Sequence, residues 1–257
     1  MDKTIEGGPI YGGQIYGVYG ASGCGRGIMP LARLQLARAK VPSDRLVFID
    51  DAAQNDPKAR EINGHRIVSF EQFLALAPSG ERHAALAIAH GQIRSKLHDR
   101  CVANGVGLWT VTAESTVILD NVDIGPGALL SPFVTITSNI RIGRCFHANL
   151  YSYVEHDCVV GDFVTFAPGA KCNGNVHIGD YAYIGSGAVL KQGKPGAPLV
   201  IGAGAVVGMG AVVTRDVPPG VTVVGNPARP LIKAPMIRAQ KPSQKPNDVK
   251  TGQSKDR

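Results

Sequence analysis

One short run of the chain, Glu155-His156-Asp157-Cys158, gathers groups that can move a proton. An imidazole titrates near neutral pH, so it can take a proton from a nucleophile and hand it on. A carboxylate beside it, such as Asp157, can orient the ring and raise its basicity. A purely structural histidine would not need Glu155 on one side and Asp157 on the other. A second run, Gly20-Ala21-Ser22-Gly23-Cys24-Gly25-Arg26-Gly27, is rich enough in glycine for backbone N–H groups to cradle a phosphate, with Arg26 as a nearby cation. The dinucleotide pattern GxGxxG fails, because Ile28 stands where the third glycine is needed. The phosphate loop GxxxxGK[ST] fails as well, because Arg26 and Gly27 replace the lysine and the hydroxyl that would hold magnesium. The rival use of such a turn is to let a helix and a strand approach closely. Asp50 and Asp51 follow an apolar run, where carboxylates can grip a ribose or a base or serve only as loop carboxylates.

These groups need elements to position them. Residues 14–19 read as a buried strand, the glycine run as a turn, and residues 28–40 as a helix with Leu31 and Leu34 on one face. Residues 46–50 read as a second strand. Ser69 with Gln72 forms a capping box ahead of a short helix, residues 84–89 form a third strand, and residues 92–104 form a helix stopped by Gly105. This order implies a small, mostly parallel sheet.

From Ile118 onward a different grammar holds. Thirteen positions six residues apart, from Ile118 to Leu190, carry large apolar side chains at all but Ala148. A second register two residues earlier is mostly small or β-branched, as at Ala128, Val134, Ala170 and Ala182, and glycine often follows the large residue. A period of six fits a chain that turns a corner every six residues and stacks coil on coil. Residues 18 apart then lie one above another, which places Gly174 one coil from His156. The pattern returns at Ile201, Val207 and Val213 after a phase shift, so residues 191–198 should bulge out as a loop. His147, His156 and His177 are spaced nine and 21 residues apart, which does not assemble a stacked zinc site; His147 and His177 read as outward surface side chains.

Composition sets outer bounds. The 257 residues suffice for two domains, and 44% apolar content is an ordinary globular balance. The chain has no run of eighteen apolar residues, and its start lacks the apolar core of a signal peptide, so the expectation is a cytoplasmic protein without a membrane span. Of five cysteines, Cys158 and Cys172 fall on inward registers, which suits free thiols in a reducing compartment. The net charge of +7 is concentrated in residues 228–257, where eight Lys or Arg face two Asp. Such a tail, rich in Pro, Gln and Ser, reads as a disordered solvated extension, and no nucleic-acid partner is expected.

Joined together, the halves resemble a known family. The GASGCG turn, the Glu155-His156-Asp157-Cys158 run with Gly161, the segment 169–176 and the closing Val224-Gly225-Asn226-Pro227-Ala228-Arg229 are similar to the sugar acyltransferases related to the sialic acid O-acetyltransferase NeuD and the bacillosamine-pathway acetyltransferase PglD. The resemblance spans residues 14–231. It implies an α/β Rossmann-like nucleotide-binding domain over 12–108, a left-handed parallel β-helix of hexapeptide repeats over 109–231, and the basic tail at 232–257. It assigns His156 as general base and Asp157 as its orienting partner, and the 18-residue stacking then offers the Gly174 N–H to a developing oxyanion. Acetyl-CoA would lie near Thr165, Gly174, Ser186 and Met209. A nucleotide-linked amino sugar would be held by Ser22, Gly23, Cys24, Asp50, Asp51 and the region of Ala89; Asn149 and Glu155 complete the candidate set. The implied assembly is a homotrimer with no metal. Relatives commonly carry His where this chain has Cys24, and Thr165 replaces a histidine near the thioester in the bacillosamine enzyme. N-acetylation of a nucleotide-linked 4-amino-4,6-dideoxy sugar is therefore the leading expectation, beside O-acetylation of a sialic acid or other glycan and, from another class, a non-catalytic nucleotide-binding scaffold.

Overall fold

The computed structural model describes residues 13–52 and 61–231, with the backbone of a small antiparallel pair at Thr4–Ile5 and Gly8–Pro9. The tail expected to be disordered, 232–257, lies outside the described residues.

The first half is an α/β unit. Its elements are β1 (Ile15–Tyr19), α1 (Gly23–Arg38), β2 (Leu46–Ile49), β3 (Glu61–Ile62), β4 (His65–Val68), α2 (Phe70–Leu76), β5 (Arg82–Leu86), α3 (Gly91–Ala103) and β6 (Val106–Leu108). They form a six-stranded sheet in the order β3-β4-β2-β1-β5-β6, parallel except for the β3–β4 pair. β3, β4 and β6 had no counterpart in the sequence reading; they are two, four and three residues long, and β6 carries a central glycine. α1 begins five residues earlier than the periodicity predicts, because Ser22 is the N-cap and the glycines continue as helix. Its buried face is Ile28, Met29, Ala32 and Leu36, whereas Leu34 is 49% exposed; the apolar stripe therefore runs beside the face marked by Leu31 and Leu34. The capping box forms as expected, with Ser69 Oγ accepting from the Gln72 N–H at 3.0 Å and Gln72 Oε1 accepting from the Ser69 N–H at 2.9 Å.

The second half is a left-handed β-helix of hexapeptide repeats. Its strands stack into three parallel faces: face A of eight strands (from Val111–Thr112 through His147–Ala148 and Thr165–Phe166 to Arg229–Pro230, the last antiparallel), face B of six (Val117–Ile118 to Val212–Val213) and face C of five (Val122–Ile124 to Leu199–Ile201). Register runs at 18 residues, as in Tyr153↔Lys171 and Val154↔Cys172, and shifts where residues 191–198 loop out, giving Val176↔Leu199. The large register from Leu130 to Val213 and the small register between its members form one continuous buried core. Cys158 and Cys172 lie within it, as the sequence reading expects, and all five thiols are free.

Each edge between faces is turned by a column of residues with positive φ. Between faces B and C these are Asn121, Asn139, Asp157 and Asn175, the side chains best able to tolerate that conformation. Between faces C and A, the glycines following the large register sit where the next coil's backbone passes closely: a Cβ on Gly143 would lie 2.7 Å from both Asp162 N and Gly161 C.

This contrast yields a stability prediction. Gly143→Ala, blocked by backbone that cannot give way, should cost about 1–3 kcal/mol as an overpacking defect. Gly187→Ala has open space and only its left-handed φ of +66° to oppose it, so it should cost about 1–2 kcal/mol. Replacing Gly187 by Asn, which tolerates that φ, should recover most of the loss, whereas Gly143→Asn should not; urea unfolding of the four variants measures it.

Candidate active site

His156 follows the face B strand Tyr153–Val154 and stands on the edge between faces B and C, with its side chain 45% exposed. Nδ1 lies 2.8 Å from Asp157 Oδ2, so an Nδ1–H donor leaves Nε2 free to accept a proton. That hydrogen bond, opposed by desolvation and reinforced by the charges of Asp157 and Glu155, raises the imidazole pKa above its ordinary value. One coil on, a Cβ built at Gly174 would lie 2.5 Å from His156 Cε1 and Nε2. Only glycine leaves room for the ring, and the Gly174 N–H has no partner among the described residues. Below the ring, Cys158 Sγ accepts from the Val176 N–H at 3.4 Å and fills the core.

The other predicted residues fall on different edges. Ser186 and Met209 stack on the edge between faces A and B, where the Gly210 N–H donates to Ser186 O and Met209 is 82% exposed. Asn149 begins that edge, its side-chain amide donating to Phe166 O at 2.8 Å. Thr165 lies on face A and is buried; its Oγ1 donates to Ala89 O at 2.8 Å and accepts from Arg94 at 3.0 Å. The chain therefore brings together His156, Asp157, Glu155 and Gly174, and separates them from Thr165, Ser186 and Met209.

His147 corrects the sequence reading. It points out of the coil as expected but is 2% exposed, because the α/β unit covers face A there; its Nε2 meets Leu86 O at 2.8 Å. Burial, with Arg94 nearby, drives its pKa well below the ordinary range, so it is a neutral docking residue. His177 is exposed.

In the α/β unit, the chain runs from β1 to β2 on one side and returns to β5 on the other. The carboxyl ends of β1 and β5 therefore flank the crevice where strand order reverses, the usual ligand position in such sheets. Residues 20–24 form one lip and 87–92 the other. The glycine run divides by role. Gly20 has φ +104°, and a Cβ on Gly25 would collide with Gly20 O, so both serve close packing; nothing lies within 4 Å of a Cβ on Gly23. Asp50 braces the turn by accepting from the Ala21 and Ala52 N–H groups, each at 3.1 Å. Asp51 is committed to the protein, accepting from Phe70 N–H, Tyr19 Oη and Arg100; burial opposes its charge, but these bonds hold the carboxyl below the usual range. Cys24 is half-buried, and that burial raises its thiol pKa against the pull of Arg94. Beyond Ala89, a cavity of about 210 Å³ opens between the start of α3 and Thr165, Tyr181, Tyr183 and Val206 of the β-helix. Arg94 and these tyrosines were not singled out in the sequence, since only the docked halves bring them to one place.

Two predictions follow from the His156 edge. Gly174→Ala should displace the imidazole and lower kcat/KM on the order of 10–100-fold, as expected for a misplaced reactive group, with the melting temperature little changed. Asp157→Asn keeps a residue suited to φ +58° and removes the carboxylate that raises the His156 pKa. A His156 general base works as the unprotonated ring, so in that role the acid limb of the kcat/KM profile should move to lower pH; an unmoved limb would mean that the ring is not the titrating base.

Comparisons with known proteins identify the relatives of this chain. Residues 157–192 match the bacterial transferase hexapeptide (six repeats) family. The chain is 49% identical to GDP-perosamine N-acetyltransferase of Escherichia coli O157:H7 over 222 residues, 86% of this chain and 98% of that protein. Among solved structures it resembles WeeI from Acinetobacter baumannii AYE (54% identity, TM-score 0.80, covering 85% of this chain and 100% of that one). It also resembles the acetyltransferase domain of PglB from Neisseria gonorrhoeae FA1090 in complex with acetyl coenzyme A (27% identity, TM-score 0.73, 85% and 98%). With near-complete coverage of a relative at that identity, the chain belongs to the hexapeptide-repeat family of acetyl-CoA-dependent nucleotide-sugar N-acetyltransferases.

Proposed function

We propose that the protein transfers the acetyl group of acetyl-CoA to the 4-amino group of a GDP-linked 4-amino-4,6-dideoxyhexose of the perosamine type. The observation that carries this reading is the exposed His156–Asp157 pair, joined at 2.8 Å, standing over the unpartnered N–H of Gly174. The amine attacks the thioester carbonyl while His156 Nε2 takes its proton. Gly174 N–H donates to the oxyanion, the C–S bond then breaks, and the coenzyme A thiolate leaves with the proton returned by His156. Asp157 holds the ring with Nε2 facing the amine. Within this reading the α/β unit is the Rossmann-like nucleotide domain: Ser22, Gly23, Cys24 and the Ala89 lip hold the diphosphate, with Asp50 bracing them. The open space above Gly23 supports that role, because a ligand can use it and the fold does not.

The working unit is a homotrimer. His156 and Gly174 stand on one edge of the triangular coil, the coenzyme candidates Ser186 and Met209 on another, and the nucleotide crevice beside face A. A threefold axis sets one subunit's edge against its neighbour's and closes the site. The protein acts in the cytoplasm, and its free thiols suit that compartment. Among the described residues no helix is long and apolar enough to cross a membrane.

His156→Ala should leave the fold intact and lower kcat/KM on the order of 10²–10⁴-fold, the loss expected for a general base; activity within a few-fold of the parent protein would remove His156 from the mechanism. Acetyl-CoA consumption should require a GDP-4-amino sugar; consumption with a sialic acid acceptor in its place would favour O-acetylation. Gly23→Val should raise KM for the nucleotide sugar and leave coenzyme A binding nearly unchanged. Co-expressing His156→Ala with Gly23→Val subunits should restore activity in mixed trimers. At nucleotide-sugar concentrations below the raised KM, mixed trimers no more active than the mean of the two parent variants would place both sites within one subunit.

A further inference from the structure

Arg94, in the first turn of α3, is the largest fully buried side chain among the described residues, with no exposed surface at all. Among those residues no carboxylate pairs with it. Nε donates to Cys145 O at 2.9 Å; Nη1 donates to Ile88 O at 2.6 Å and Ala89 O at 3.1 Å; Nη2 donates to Phe163 O at 2.7 Å, Val164 O at 3.2 Å and Thr165 Oγ1 at 3.0 Å. A buried cation without a counter-charge is costly, and a docking staple built from apolar side chains would avoid that cost. Burial does lower its pKa, to about 10, which still leaves it charged at neutral pH.

Two consequences reach the crevice. The carbonyls of Ile88 and Ala89, which form its lip after β5, are turned inward onto the guanidinium. The lip is left with the first N–H groups of α3, which have no partner inside the helix and receive no side-chain cap from His90. The charge is also felt at the opposite lip, where it favours the thiolate form of Cys24. We infer that Arg94 is the positioning residue for the diphosphate of the nucleotide sugar: it withdraws the acceptor oxygens of Ile88 and Ala89 from the crevice and supplies the uncompensated positive charge that an anionic ligand answers. This rests on the reading of the crevice as the nucleotide site. The rival cation is Arg26, which is exposed on α1.

The test is the affinity of the full-length protein for GDP relative to guanosine, measured by calorimetry. A buried charge is screened little by salt and an exposed one strongly, so the ratio should change less than about threefold between about 0.05 and 0.5 M NaCl. Arg94→Met should lower the ratio at least about tenfold while guanosine affinity and KM for acetyl-CoA stay near parental, since only the anion loses its partner. Arg94→Lys keeps the positive charge, so its ratio should stay within about threefold of parental while that of Arg94→Met falls. A merely structural Arg94 would give the Met variant an unchanged ratio, and that result overturns the inference. Should Arg94→Met fail to fold, the salt series and Arg26→Ala decide: a ratio that collapses with salt, or that falls in Arg26→Ala, overturns it. Parental protein that binds neither GDP nor its sugar conjugate overturns the crevice reading and this inference with it, whereas binding with an unmoved ratio overturns the role of Arg94 alone.

Discussion

The hydrogen-bonded ladder between successive coils is the constraint from which the remaining features follow. Each coil must close in a fixed number of residues for its strands to meet those above and below, as where Val154 meets Cys172 and Thr165 meets Tyr183. Closure forces left-handed backbone at every edge: Asn and Asp carry it between faces B and C, whereas on the other two edges Phe133, Cys145, Tyr151, Phe163 and Tyr181 adopt it beside glycines. Asp157 therefore does two things: its backbone turns the corner between faces B and C, as Asn139 and Asn175 do in neighbouring coils, and its carboxylate holds His156. The ladder also delivers Gly174 beneath the ring without any dedicated element, because stacking alone decides what lies one coil away.

A coil of this kind has three faces, and what covers them determines what each can do. The α/β unit covers part of face A, and the junction is polar: Arg94 binds carbonyls of the edge between faces C and A, and His147 meets Leu86 O. Two histidines of one β-helix thus end in opposite states. His147 is sealed under the α/β unit, where burial keeps it neutral, whereas His156 stays in solvent beside a carboxylate and becomes more basic. The separation of the edges also sets the His156–Asp157 pair, between faces B and C, apart from the crevice beside face A.

Much of this was legible in the sequence. The six-residue register fixed the coil, its inward residues and the outward loop at 191–198, because side-chain size at a closing corner is a local requirement. The Glu155-His156-Asp157 run and its relation to Gly174 could be counted off for the same reason. The capping box at Ser69 and Gln72 is equally local. Three strands and three helices of the first half were also readable, but not the short strands at 61–62, 65–68 and 106–108, nor the start of α1, since glycines that discourage a helix in isolation are tolerated where Gly25 must pass against Gly20.

Tertiary structure alone decided the rest. Outward orientation of His147 follows from the register, but its burial depends on another part of the chain lying over face A. Asp50 and Asp51 are adjacent and look equivalent in the sequence; packing gives the first to the glycine turn and the second to Arg100 and the start of α2. Arg94 reads as an ordinary helical arginine until the carbonyls of residues 88, 89, 145, 163 and 164 converge on it. Local sequence sets registers, corners and caps because those depend on neighbours along the chain or at a fixed period. Burial and charge state depend on which distant surface arrives, and that is settled only when the two halves dock.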